Sequence, residues 1–67
     1  MNNIHVNGRP RKCPVGSSVA DLVQALGFAQ QRIAVERNGA IVSRSAWMST
    51  RIEDGDQLEI VGAVGGG

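Results

Sequence analysis

The chain has no tyrosine, one tryptophan and one phenylalanine. Proteins that track single-stranded nucleic acid stack successive bases on aromatic side chains, and nothing here can build such a platform. The charge agrees. Seven Lys and Arg against six Asp and Glu leave +1, and only Arg9, Arg11 and Lys12 stand together, which reads as the solvated edge of a hairpin. The single cysteine, Cys13, excludes an internal disulfide and suits a reducing compartment or indifference to redox state. The single histidine, His5, cannot complete with it the three or four ligands of a zinc site. No apolar run approaches the ~20 residues that span a bilayer, and the opening MNNIHVNGRP has no apolar stretch of the secretory kind. These absences predict a cytoplasmic chain with no metal, no nucleic acid and no membrane.

What is present fits one small domain of 67 residues. Such a chain buries a modest share of its surface and has little room for a walled catalytic cleft. A composition of 42% hydrophobic and 19% charged residues is that of a globular fold.

Ile4 and Val6 alternate with Asn3 and His5, the period of a half-buried strand. Asn7-Gly8 is a two-residue hairpin turn, since both residue types tolerate positive φ. A second strand follows from about Arg9 to Cys13, and Pro10 makes it an edge strand or turns that position to solvent. In SSVADLVQALG, Val19, Leu22, Val23 and Leu26 fall on one helical stripe. Ser17 or Ser18 can cap this helix, Ser18 with Asp21 resembling a capping box, and Gly27 closes it. Ile33 and Val35 mark a third strand, Asn38-Gly39 a second hairpin turn, and Ala40–Val42 a short fourth strand. The segment SRSAWMSTRIEDGD reads as irregular, with Trp47 plugging the side of the core and Asp54-Gly55-Asp56 forming a tight turn. In QLEIVGAV, Leu58 and Ile60 face inward and Gln57, Glu59 and Val61 outward. The order ββαβββ predicts an α+β fold, one helix across a small mixed sheet, with the last strand, if central, paired to the first.

Enzymatic chemistry is scarce. Cys13 has no visible activating partner and reads as a small, semi-buried hydrophobe. His5 falls on the solvent side of its strand. Asp54 and Asp56 are more simply turn residues than a carboxylate pair. No helix follows the glycines of VGAVGGG, so they are not a phosphate loop. Residues 1–64 are read as the folded domain and Gly65–Gly67 as a flexible tail. Such an end has two readings: simple fraying, or threading into another protein's active site. Glycine suits threading because it has no Cβ to clash and accepts any φ. From Gly62 to Gly67 an extended chain reaches ~20 Å at about 3.4 Å per residue. Activation of the terminal carboxylate by ATP would make it a useful electrophile.

The segments VNG at 6–8, VADLVQALG at 19–27, IAVERNGAIVSRSAW at 33–47 and EDGDQLEIVGAVGGG at 53–67 resemble those of the ubiquitin-like β-grasp family. Within it they are most similar to the sulfur carriers of thiamine biosynthesis, the ThiS family. The resemblance spans essentially the whole chain, and Arg37-Asn38-Gly39 through Trp47 to Asp54-Gly55-Asp56 is its most specific part. It implies a β-grasp fold and a carrier, not a catalyst. It implies that Gly67 bears the reacting carboxylate, with Gly66 its partner in the double-glycine motif and Gly65 and Gly66 threading into the partner's site. It implies a ThiF-like adenylyltransferase that uses ATP and magnesium, a cysteine desulfurase or other persulfide donor, and a ThiG-like thiazole synthase that receives sulfur from the thiocarboxylate. No cofactor is expected to stay bound. Gly65 stands where the family often has a small residue such as alanine.

From strand alternation, Val61, with Ala63 and Val64, is expected to dock the adenylating partner. Lys12 is the only lysine, which favours a carrier over a tag conjugated through chains. Two other readings stay open: the small subunit of molybdopterin synthase or another β-grasp sulfur carrier, and an interaction module with an inert tail.

Overall fold

A computed structural model describes residues 1–28 and 31–62. The strands are β1 (Asn2–Val6), β2 (Arg9–Cys13), β3 (Ile33–Arg37), β4 (Ala40–Val42) and β5 (Gln57–Gly62), with one α-helix, α1 (Val19–Ala25), between β2 and β3. They form a five-stranded mixed sheet in the order β2-β1-β5-β3-β4. β5 is central, parallel to β1 and antiparallel to β3. The predicted element order and the pairing of first and last strands are both present.

Two Asn-Gly turns generate the hairpins. Asn7 and Gly8 have φ of 52° and 80°, and Asn38 and Gly39 have 52° and 88°. Positive φ at both central residues gives a turn whose twist matches that of the strands it joins. β2 is an edge strand, exposed from Arg9 through Lys12. The His5 N–H is donated to Asp56 on the β5 side, so the His5–Pro10 pair does not exchange hydrogen bonds. Pro10 therefore presents its missing donor to the open edge, where it blunts pairing with another chain.

α1 starts at a full capping box. The Ser18 hydroxyl accepts from the Asp21 N–H at 3.1 Å and the Asp21 carboxylate accepts from the Ser18 N–H at 3.0 Å. Such a cap is worth about 1 kcal/mol. Hydrogen bonding from Ser18, its backbone N–H first, holds the Asp21 carboxyl below its ordinary pKa. The cap at the other end is Leu26, with Gly27 beyond it in the left-handed region at φ 84°. The helix buries Val19, Leu22 and Val23 against the sheet, where Ile4, Val35, Leu58 and Ile60 meet them. Leu26 is only half-buried at the margin. Each fully buried aliphatic side chain contributes roughly 1.5–3 kcal/mol before conformational entropy is set against it.

The stretch from 43 to 56 is more ordered than its composition suggests. A 3-10 turn, Arg44–Ala46, carries Trp47 into the core, where the indole N–H donates to the Val42 carbonyl at 3.0 Å. Arg44 lies over the Trp47 ring, 5.0 Å from its centroid. Arg51 pairs with Ser18 in an isolated bridge. This seats Ile52, only 2% exposed, beneath the helix N-terminus as a core residue.

Candidate functional site

β5 carries the chain through the middle of the sheet to Gly62. Three polar side chains hold it. Asp56, just before the strand, is 5% exposed. Its carboxylate accepts from Arg37 Nε at 2.7 Å, the Glu53 N–H at 2.8 Å and Asn38 Nδ2 at 3.0 Å. Burial pushes the Asp56 carboxyl up, but these hydrogen bonds and the Arg37 charge outweigh it and hold the pKa below 3.8. The same pair raises the Arg37 pKa, chiefly through the Asp56 hydrogen bond. Asn38 also accepts from the Gln57 N–H at 2.9 Å. Asn7 holds the far end: its Oδ1 accepts from the Ile60 N–H at 2.7 Å and its Nδ2 donates to the Ile60 carbonyl at 3.0 Å.

The sheet has one face under α1 and one open. Leu58 and Ile60 point into the core while Gln57, Glu59 and Val61 are exposed, as the alternation predicts. On the open face Ala34 lies beside Val61, Glu36 beside Glu59, and Ile41 beside Glu36. Val61 is 56% exposed and Ile41 66%. Apolar side chains thus flank two carboxylates placed directly opposite one another. Like charges in that position are mildly destabilising, and a basic group on a partner would relieve them.

Of the residues singled out from the sequence, Val61 stands on this face. Ala63, Val64, Gly65, Gly66 and Gly67 lie outside the described residues. Cys13 ends β2 and is buried in the core, more fully than the semi-buried reading of it. His5 is exposed on the open face. Among the described residues, no group of three His, Cys, Asp or Glu side chains is placed to hold a metal. Among them, too, no helix is long and apolar enough to cross a membrane. Asp56 differs most from its reading as a simple turn residue, since it is the centre of a buried polar cluster. Asn7 and Asn38 were legible as turn residues but not as clamps. Each pairs with a strand whose position only the folded topology reveals.

One helix on a five-stranded mixed sheet, with the last strand central and parallel to the first, defines the ubiquitin-like β-grasp class. The chain belongs to the ThiS family, whose model matches residues 4–67. It is 31% identical to the sulfur carrier protein ThiS of Escherichia coli (strain K12), over 91% of this chain and 92% of that one. It is 42% identical over 64 residues to a thiazole synthase of Magnetococcus marinus, covering 96% of this chain and 20% of that protein. The chain thus spans about one fifth of the length of the thiazole synthases it matches. Among solved structures, the thiamine biosynthesis protein ThiS of Geobacter metallireducens superimposes with a TM-score of 0.84 at 37% identity, over 97% of this chain and 99% of that one.

Proposed function

We propose that this protein is the sulfur carrier of thiazole formation in thiamine biosynthesis. The observation that carries the reading is family membership extending through the terminal glycines, residues 4–67, on a fold that delivers its last strand from the centre of the sheet. The Gly67 carboxylate attacks the α-phosphorus of ATP in the site of a ThiF-like adenylyltransferase, and pyrophosphate leaves. That partner supplies ATP and magnesium. The outer sulfur of a persulfide donor such as a cysteine desulfurase then attacks the acyl-adenylate, and AMP leaves. A second thiol reduces the resulting acyl disulfide, forming a disulfide with the donor's sulfur and releasing the end of the chain as a thiocarboxylate. The thiocarboxylate sulfur is soft and nucleophilic, and a thiazole synthase accepts it. Likeness to a segment of thiazole synthases supports a partner of that kind. Gly65 and Gly66 thread the partner's channel, where a Cβ would clash. The open face around Val61, with Ala34 and Ile41, docks a partner that presents apolar and basic groups. The chain itself supplies the reacting carboxylate and no catalytic machinery, and it works in the cytoplasm.

The test is ATP–pyrophosphate exchange with the adenylating partner. Deleting Gly67 withdraws the carboxylate by up to ~3.5 Å, where an error of about 1 Å already costs on the order of a hundredfold. Exchange should be lost in the deletion and in a one-residue extension. Gly66→Val should be impaired by its branched side chain. Exchange at the unmodified rate in the deletion or the extension would remove Gly67 as the reacting residue.

A further inference from the structure

We propose that Asn7 is a positioning residue for the C-terminal segment, through a side chain that stands in for one rung of the sheet. The parallel β1–β5 register consists of His5 with Gln57 and Val6 with Leu58. The Asn7 N–H still donates to the Leu58 carbonyl at 2.8 Å. In a parallel ladder the carbonyl of Asn7 would next accept from the Ile60 N–H. Asn7 instead sits at φ 52° and turns the main chain away into β2. Its carboxamide replaces the missing peptide group. Oδ1 takes the Ile60 N–H at 2.7 Å and Nδ2 reaches the Ile60 carbonyl at 3.0 Å. An Asn side chain is a primary amide, so donor and acceptor match what a strand would offer.

The location gives this contact its role. On its other side β5 is paired with β3 as far as Gly62, opposite Ile33. On the β1 side Asn7 makes the last contact before the chain leaves the described sheet. At Ile60, two residues before Gly62, β5 is therefore held from both flanks, by Asn7 on one side and by its pairing with Val35 of β3 on the other. Five residues then follow Gly62, ending at Gly67, and the direction in which they start decides where the carboxylate arrives. Asn38 makes a comparable bond to Gln57 at the opposite end of the same strand, which provides an internal control for stability without position. Asn-Gly at 7–8 thus does two things: it turns the hairpin and it aims the strand beside it.

The role in the reaction rests on the carrier reading; the structural anchoring does not. The experiment uses the full chain as Asn7→Gly, Asn7→Asp and Asn38→Gly, since Gly and Asp both accept the turn geometry. Amide hydrogen exchange is read at Ile60, with Val35 as the core reference. Asn7→Gly should speed exchange at Ile60 by about tenfold or more beyond any change at Val35, the loss expected for one or two hydrogen bonds. Asn7→Asp keeps the acceptor for the Ile60 N–H but sets a carboxylate oxygen against the Ile60 carbonyl, so its Ile60 exchange should fall between those of Asn7→Gly and the unsubstituted protein. In ATP–pyrophosphate exchange, Asn7→Gly should lower kcat by about tenfold with KM little changed, in keeping with a misplaced reacting group. Asn38→Gly should lose stability but retain kcat. Unchanged exchange at Ile60 in Asn7→Gly overturns the anchoring. An unchanged kcat in that variant, or an equal fall in Asn38→Gly, overturns the positioning role. Failure of the carrier reading appears separately, as activity that survives deletion of Gly67; Asn7 is then judged by Ile60 exchange alone.

Discussion

Replacing Asp56 by alanine removes the acceptor for three groups at once at the start of the central strand. Arg37 Nε at 2.7 Å, the Glu53 N–H at 2.8 Å and Asn38 Nδ2 at 3.0 Å all lose their partner. A hydrogen bond to a charged group is worth about 1.5–3 kcal/mol and a neutral one about 1 kcal/mol. The Arg37 side chain is 27% exposed, so its guanidinium recovers part of its loss by hydration. The expected cost is about 3 kcal/mol, toward the low end for breaking one partner of a buried pair. A chain of this length holds roughly 3–10 kcal/mol in total, so the variant stands near the edge of folding. Its Tm should fall by about 12–24 °C at roughly 4–8 °C per kcal/mol. Urea unfolding followed by circular dichroism gives the free energy directly, with an unchanged slope showing that the unfolded state is the same. The pH dependence supplies an independent arm. The folded Asp56 pKa lies below 3.8, so its stabilisation is present above that value and drains away as pH falls through the folded pKa. Asp56→Ala should lack that part of the acid loss, while Asp21, also depressed, keeps its own. A cost below about 1 kcal/mol, or an acid limb identical to that of the unsubstituted protein, would refute the view that Asp56 clamps β5.

Val61→Asp should leave the free protein folded, with stability changed by less than about 1 kcal/mol, because the side chain is exposed. It should weaken binding to the adenylating partner, measured by calorimetry; a large stability loss would show that Val61 packs more than its exposure indicates. Cys13→Ser should cost stability, as a buried thiol gives way to a hydroxyl, yet still load sulfur in a reconstituted assay. Loss of loading in the folded variant would move the carrier atom away from the C-terminus.

Local chemistry made most of the fold legible. Asn-Gly occurs where two positive φ values are needed, the capping box announces α1, and period-two alternation assigns Ile4, Leu58 and Ile60 to the core. Ile52 was not legible, because a lone aliphatic residue in an irregular segment has no period. The bridge between Ser18 and Arg51, with the Ile52 N–H donated to the Ser17 carbonyl, brings it under the helix. Asp56 was read as a turn residue because its partners Arg37 and Asn38 lie 19 and 18 positions away. Asn7 and Ile60 are 53 apart, and nothing in the turn itself reveals the strand it holds. The site divides in the same way. The terminal glycines were named through resemblance and lie outside the described residues, and parity put Val61 on the open face. The anchoring that precedes them depends on long-range pairing with β1.

The central claim is that sulfur travels on the carboxyl group of Gly67. Intact-mass measurement tests it most directly, after incubating the chain with ATP, magnesium, the adenylating partner, a persulfide donor and a thiol reductant. The predicted result is a mass gain corresponding to one oxygen replaced by sulfur, mapped by fragmentation to the peptide ending at Gly67 and absent when Gly67 is deleted. No gain, or a gain mapped to Cys13, would contradict it.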